Sequence, residues 1–267
     1  MNDELINLWE GDFPETEMDL IIYIIVFIYG IVFGSFLNVV IFRVPKHESI
    51  VRGQSHCMTC GHKLSWYELI PVFSYIFQKG RCRSCGEKIS PQYPLIETMN
   101  GVLWCLSFRR FGMTPEFFMG AALLSVLVCI SIVDARTMEI PLSFNIAIFA
   151  IGIVRLIFSW PHILEYLIGA VAVSGFLLIV YILTGGGGVG GGDIKLMAAA
   201  GLLLGWKCII IAFLIGCILG SVIHIIRMAV FHAGRKLALG PYLSAGIAIA
   251  FFFGNDMINT YLGLLGL

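Results

Sequence analysis

Long apolar runs separated by short polar clusters dominate the chain. Residues 20–42 carry no Asp, Glu, Lys or Arg, and further apolar runs fall at about 94–108, 116–133, 140–158, 163–183, 195–206, 208–229 and 241–263. Most approach the roughly 20 residues that a helix needs to cross a hydrocarbon core about 30 Å thick. The pattern predicts an all-α polytopic membrane protein with about eight transmembrane helices. The first run is too long, and too free of basic residues on its N-terminal side, for a cleaved signal peptide. The sixth is the weakest, because only about a dozen residues separate Asp193 from Trp206-Lys207; it is expected to be short or broken.

Composition agrees: 58% of the 267 residues are apolar and 13% charged, against roughly 45–50% and 25% in soluble domains. The net charge of zero argues against nucleic acid as the main partner, since no basic excess neutralises phosphates. Position matters more than the total. Residues 1–19 hold seven acids and no basic residue, whereas Arg43 to Lys88 hold eight Lys/Arg against three acids. The positive-inside rule then puts the N-terminus outside and the following segment in the cytoplasm. Counting eight spans onward, Arg136, Lys195, Arg227, Arg235 and Lys236 also fall inside, so 13 of the 17 basic residues share one face. The expected organisation is an acidic extracytoplasmic tail (1–19), a first transmembrane helix (20–42), a cytoplasmic insert (43–93) and a block of seven spans (94–267). No fixed-period repeat is present, and the one low-complexity stretch is Gly185-Gly-Gly-Gly-Val-Gly-Gly-Gly192.

The insert reads Cys57-Met-Thr-Cys60, then 21 residues, then Cys82-Arg-Ser-Cys85, with Gly61 and Gly86 after the pairs. Two Cys-x-x-Cys pairs supply four thiolates, the donor set of a tetrahedral zinc ribbon. Structural disulfides are the competing reading, disfavoured in a reducing cytoplasm. A segment this short has little core, so the metal would supply folding energy and no chemistry. His56 and His62 flank the pairs and are expected to be solvated, because four thiolates already close the site. Cys105, Cys129, Cys208 and Cys217 lie singly in apolar spans, as small buried hydrophobes do.

Ionisable residues beside apolar spans are costly and call for a reason. Asp134 ends the third span and Asp193 opens the sixth, both at cytoplasmic helix ends, so distant parts of the chain can bring the two carboxyls together. Two carboxyls in close proximity cannot both ionise: one activates water while the other polarises a peptide carbonyl, as in aspartic proteases. The alternative is that each is a helix-end residue, Asp193 at an N-terminus and Asp134 at an exit to water. Gly185, Gly187 and Gly190 satisfy G-x-G-x-x-G trivially, but no βαβ unit is possible here and no acid lies about 20 residues on. Glycines ahead of Asp193 allow close passage of a substrate backbone and a flexible flap, or a simple hinge.

The sequence resembles the type IV prepilin peptidases, bifunctional membrane enzymes of the Gly-x-Gly-Asp aspartyl protease group. The resemblance rests on Gly34-Ser-Phe-Leu-Asn-Val-Val-Ile-Phe-Arg-Val-Pro45, the two cysteine pairs, Trp66-Tyr-Glu-Leu-Ile-Pro71, Ile89-Ser-Pro-Gln-Tyr-Pro-Leu-Ile-Glu97, Asp134, Gly190-Gly-Gly-Asp193-Ile-Lys195 and Leu239-Gly-Pro-Tyr-Leu-Ser-Ala-Gly246. It implies that Asp134 and Asp193 form the protease dyad, with Gly190, Gly192 and Lys195 in the catalytic loop. The reaction implied is removal of the basic leader of prepilin or pseudopilin substrates at the cytoplasmic face of the bacterial inner membrane. A second implied activity is N-methylation of the new terminus with S-adenosylmethionine. The tetracysteine insert accompanies the bifunctional members. One departure is Pro141-Leu142-Ser143, where many relatives have Pro followed by Asp or Asn; a substrate contact is affected before catalysis. Glu97, Asn38 and Glu139 are candidate substrate or cofactor contacts, Glu97 equally a snorkelling helix-end carboxylate. A protease without methyl transfer, and a transporter or zinc sensor with a discontinuous sixth helix, are the rival readings.

Overall fold

The computed structural model describes residues 17–231 and 237–266. Most of the acidic tail, and Arg235 and Lys236, lie outside the described residues. Among those described, the chain is all-α, with nine helices and no strand beyond two isolated bridges. The helices are α1 (Glu17–Arg43), α2 (Phe73–Phe77), α3 (Gln92–Phe111), α4 (Pro115–Thr137), α5 (Leu142–Phe158), α6 (Ile163–Leu183), α7 (Gly191–Leu204), α8 (Trp206–Phe231) and α9 (Gly240–Leu264). Eight of them occupy the eight apolar runs, and α2 lies in the insert. Five segments are long and apolar enough to cross a membrane, those of α1, α4, α6, α8 and α9. By the same measure α5 is a shorter apolar helix, α7 has only 14 residues, and α3 carries Glu97, Asn100, Arg109 and Arg110. Length and apolarity thus support five spans, not the full eight.

The chain divides into two compact units, Met1–Ser125 and Val126–Leu267. In the first, α1 and α3 pack so closely that a Cβ at Gly30 would lie 2.7 Å from the Gly101 Cα, and one at Gly34 equally close to the Glu97 Cα. Small residues permit this approach. A buried polar chain fixes the register: Asn100 Nδ2 donates to the Gly30 carbonyl at 2.7 Å, Ser125 Oγ to Asn100 Oδ1 at 2.8 Å, and Trp104 Nε1 to Ser125 Oγ at 3.0 Å. Val26, Phe117 and Ala121 form an apolar cluster on the same unit.

The second unit is built around α7. Leu196, Met197 and Ala200 are fully enclosed, and α5, α6, α8 and α9 all touch this helix. A 14-residue apolar helix surrounded by others is a core element, too short to span alone; this is why the sixth run is short. Gly205, at φ +79, adopts the left-handed conformation that separates α7 from α8. Side chains such as Leu164, Val171 and Ile182 remain largely exposed, as expected of a surface solvated by lipid. Cys129 and Cys208 are buried, while Cys105 and Cys217 are only half-buried.

Candidate functional site

Asp134 sits in the last turn of α4 and Asp193 in the first turn of α7. Asp134 is buried, 5% exposed, and its Oδ2 accepts the backbone N–H of Gly240, at the start of α9, at 2.8 Å. That N–H is one of the donors a helix leaves unpaired at its first turn, and it carries the positive end of the helix dipole. Asp193 is half-buried, with Gly190 as the residue ahead of α7, whose backbone N–H meets the Asp193 carboxylate. The chain leaving α4 meets the start of α7, where a Cβ on Gly192 would lie 3.0 Å from the Ile140 Cβ, so the helix ends that carry the two acids lie side by side in the second unit.

Glycines border both acids at van der Waals range. A Cβ at Gly240 would stand 2.7 Å from Asp134 Oδ2, and a Cβ at Gly190 would stand 2.9 Å from Asp193 Oδ2. Gly192 faces the Ile140 Cβ, 3.0 Å from where its own Cβ would be, whereas Gly191 faces open space. Two members of the glycine run thus have a packing reason beyond flexibility. Lys195 and Glu139 are exposed, and Met138, at φ 55, turns the chain out of α4 toward Pro141. Gly240 and Ile140 were not among the expected site residues; the signal for Gly240 was Gly-Pro ahead of an apolar run, a helix-start pattern.

Glu97 and Asn38 belong to the first unit. Glu97 is buried and accepts the backbone N–H of Val72 at 2.7 Å, tying the insert to α3. Asn38 Nδ2 donates to the Tyr93 and Gly34 carbonyls at 3.2 and 3.4 Å. Both act as structural ties between chain segments in this geometry.

In the insert, the four sulfurs of Cys57, Cys60, Cys82 and Cys85 lie within 4.8 Å of one another. Cys57 and Cys85 are 3.9 Å apart, and Cys60 and Cys82 4.0 Å. Zn–S bonds of about 2.3 Å in a regular tetrahedron separate sulfurs by roughly 3.8 Å, so the cluster has the dimensions of such a metal site. Each half is the same turn: Gly61 N–H donates to the Cys57 carbonyl and Gly86 N–H to the Cys82 carbonyl, both at 2.9 Å. Gly61 and Gly86 have φ +70 and +74, which explains the glycine after each pair. The backbone N–H groups of Cys60 and Thr59 pull the Cys57 thiol down to about 6. The backbone N–H of Glu87 favours the Cys85 thiolate, but desolvation and the neighbouring sulfurs outweigh it and push that thiol up to about 12. His56 is exposed as expected. His62 is not simply solvated: its Nε2 contacts buried Glu68 Oε2 at 3.2 Å. The Ser65 backbone N–H and then His62 hold the Glu68 carboxyl below its usual range against desolvation.

Residues 28–111 match the Bacterial Peptidase A24 N-terminal domain, and residues 121–225 the Type IV leader peptidase family. The prepilin leader peptidase/N-methyltransferase of Bacillus subtilis (strain 168) is 35% identical over 243 residues, covering 89% of this chain and 97% of that protein. The protein of the same name from Myxococcus xanthus (strain DK1622) is 36% identical over 80% of this chain and 65% of its own length. That from Xanthomonas campestris pv. campestris is 34% identical over 89% and 93%. No solved structure matches the chain. Matches to both family domains, with identity running through nearly the full length of the Bacillus and Xanthomonas relatives, place this chain in the type IV leader peptidase family.

Proposed function

We propose that this chain is a membrane-embedded aspartic endopeptidase that removes the leader from prepilin-like proteins and N-methylates the new terminus, with Asp134 and Asp193 as its catalytic pair. The observation that supports the reading is the approach of Ile140, which follows α4, to Gly192 at the start of α7, which sets the helix ends carrying the two acids beside each other. In this reading residues 94–267 form the protease domain and residues 43–93 a cytoplasmic module. The N-terminus lies outside the bacterial inner membrane, and the two acids sit at its cytoplasmic face.

The chemistry follows from one proton shared between two carboxyls, whose titration belongs to the pair. The ionised member takes a proton from water as the water oxygen bonds to the scissile carbonyl carbon. The protonated member donates to the carbonyl oxygen, giving a neutral tetrahedral diol. One carboxyl then returns a proton to the amide nitrogen while the other takes one from a diol hydroxyl, and the C–N bond breaks, releasing leader acid and mature amine. The Gly240 N–H holds Asp134 in position throughout, so little reorganisation accompanies the reaction. S-adenosylmethionine would supply the methyl group for the new terminal amine.

The tetracysteine cluster would hold Zn²⁺ through Cys57, Cys60, Cys82 and Cys85. Four thiolates leave no open position, so the metal organises the insert. The test is intact mass of a model prepilin incubated with the enzyme, with and without S-adenosylmethionine. Leader loss in both arms and one added methyl only with the donor are expected. Uncleaved substrate would refute the peptidase reading, and cleavage without methyl addition the second activity. Leader cleavage surviving in both Asp134→Asn and Asp193→Asn would refute the residue assignment.

A further inference from the structure

Away from the two aspartates, the insert contains a hollow of about 660 Å³, within the usual range of ligand sites. Tyr67, Ile70, Phe73 and Phe77 line it together with Arg81 and Arg83. Its apolar lining is open: Phe73 is 54% and Phe77 82% exposed. The Arg83 guanidinium lies 5.5 Å from the centre of the Tyr67 ring. The lining holds one carboxylate, Glu68, which the Ser65 N–H and His62 engage, and the buried Cys82 of the cysteine cluster; Arg81 and Arg83 are its two cationic groups.

Depth is fixed independently. The Val72 N–H, one residue before α2, is held by Glu97 at 2.7 Å, and the Glu97 backbone is level with Gly34 on α1. Gly34 lies nine residues before the end of α1, about 13 Å along its axis. At this level Phe33 and Phe36 of α1 are exposed as lipid-facing side chains. The start of α2 therefore lies below the end of a membrane helix, where acyl chains meet headgroups. Aromatic side chains with basic neighbours are suited to that layer.

We propose that this hollow binds an anionic phospholipid of the surrounding bilayer, with acyl chain against Ile70, Phe73 and Phe77 and phosphate on Arg81 and Arg83. A neutral lipid satisfies the apolar part alone, whereas an anionic headgroup also meets the two guanidiniums, which pair with phosphate oxygens. The site rests on α1 lying in a bilayer and does not depend on the peptidase reading.

The test uses the full zinc-loaded chain in nanodiscs of mixed phosphatidylcholine and phosphatidylglycerol, with retained lipid counted by native mass spectrometry. Retention of phosphatidylglycerol about thirtyfold tighter than phosphatidylcholine is expected for two basic contacts, falling to parity in Arg81→Ala/Arg83→Ala at unchanged zinc content. Equal retention of both lipids by the parent chain, or a preference surviving in the double variant, overturns the proposal. Displacement by glycerol phosphate or by S-adenosylhomocysteine as effective as by lipid marks a small-anion or nucleoside site and overturns it too. If the double variant loses zinc, Phe73→Ser/Phe77→Ser supplies the reading: reduced lipid retention with the cysteines metal-loaded supports the proposal, and unchanged retention refutes it.

Discussion

The backbone N–H of Gly240 donates to Asp134 Oδ2 at 2.8 Å, joining the C-terminal turn of α4 to the N-terminus of α9. Any residue but proline would offer this N–H at the helix terminus; glycine is required because the space where a Cβ would sit is filled by the carboxyl it binds.

Gly240→Ala is therefore expected to displace Asp134 without emptying any part of the core. Since the missing space is measured against a side-chain carboxyl, the acid moves before the helices do. A displacement of about 1 Å in a reacting group costs on the order of a hundredfold in rate. Steady-state leader cleavage should show kcat lowered by about that factor with KM little changed. An unaltered kcat would separate the Gly240 contact from catalysis.

Neighbouring glycines provide a matched comparison ahead of α7. A Cβ at Gly190 meets Asp193 Oδ2 at 2.9 Å, whereas one at Gly191 meets nothing within 4 Å. Gly191→Ala should leave cleavage within about twofold and Gly190→Ala should lower it by tenfold or more, since only the second pushes on the acid. Equal effects would mean that the run serves only as a hinge.

The cysteine cluster predicts a pH dependence. In metal-free protein the Cys57 thiolate is favoured, with its titration down near 6, while Cys85 stays protonated up to about 12. Alkylation at neutral pH should therefore modify Cys57 ahead of Cys85, as read by peptide mass. A depressed thiol stabilises the folded insert above its unfolded titration point and loses that contribution as pH falls through about 6. Zinc requires thiolates as well, so its affinity should fall in the same direction. Cys57→Ser should lower bound zinc well below one per chain.

Part of this architecture is legible in the sequence because bilayer thickness sets a length for apolar helices. The apolar runs fall on eight helices, and the shortness of the gap between Asp193 and Trp206 identifies α7 as exceptional. Its enclosure by α5, α6, α8 and α9 was not legible, since an apolar 14-residue run reads alike whether it faces lipid or protein. The pairing of Asp134 with Asp193 was an expectation from scarcity of charge, whereas the Gly240 donor was hidden: backbone groups leave no mark on residue identity beyond the Gly-Pro that begins α9. Glu97 is tied to the insert by a contact that the sequence does not announce. Its carboxylate accepts the Val72 N–H, which no spacing rule connects to it.

Helix crossings carry the last prediction. A Cβ on Gly169 of α6 would collide with the Gly201 carbonyl of α7, and one on Gly201 with the Gly169 carbonyl. Both clashes are with backbone, which cannot rotate away as a side chain does, so the helices would have to separate. Gly175, also on α6, has only a Val171 methyl at 3.4 Å from its virtual Cβ. Gly169→Ala should therefore destabilise the protein by roughly 1–3 kcal/mol or more through overpacking. Gly175→Ala should stabilise it by up to about 1 kcal/mol, because alanine is the better helix former. Thermal unfolding of both variants in the same detergent decides the matter. A melting temperature in Gly169→Ala equal to or above that of Gly175→Ala would show that α6 and α7 are not in backbone contact at this crossing, and would remove the packing argument for the central position of α7.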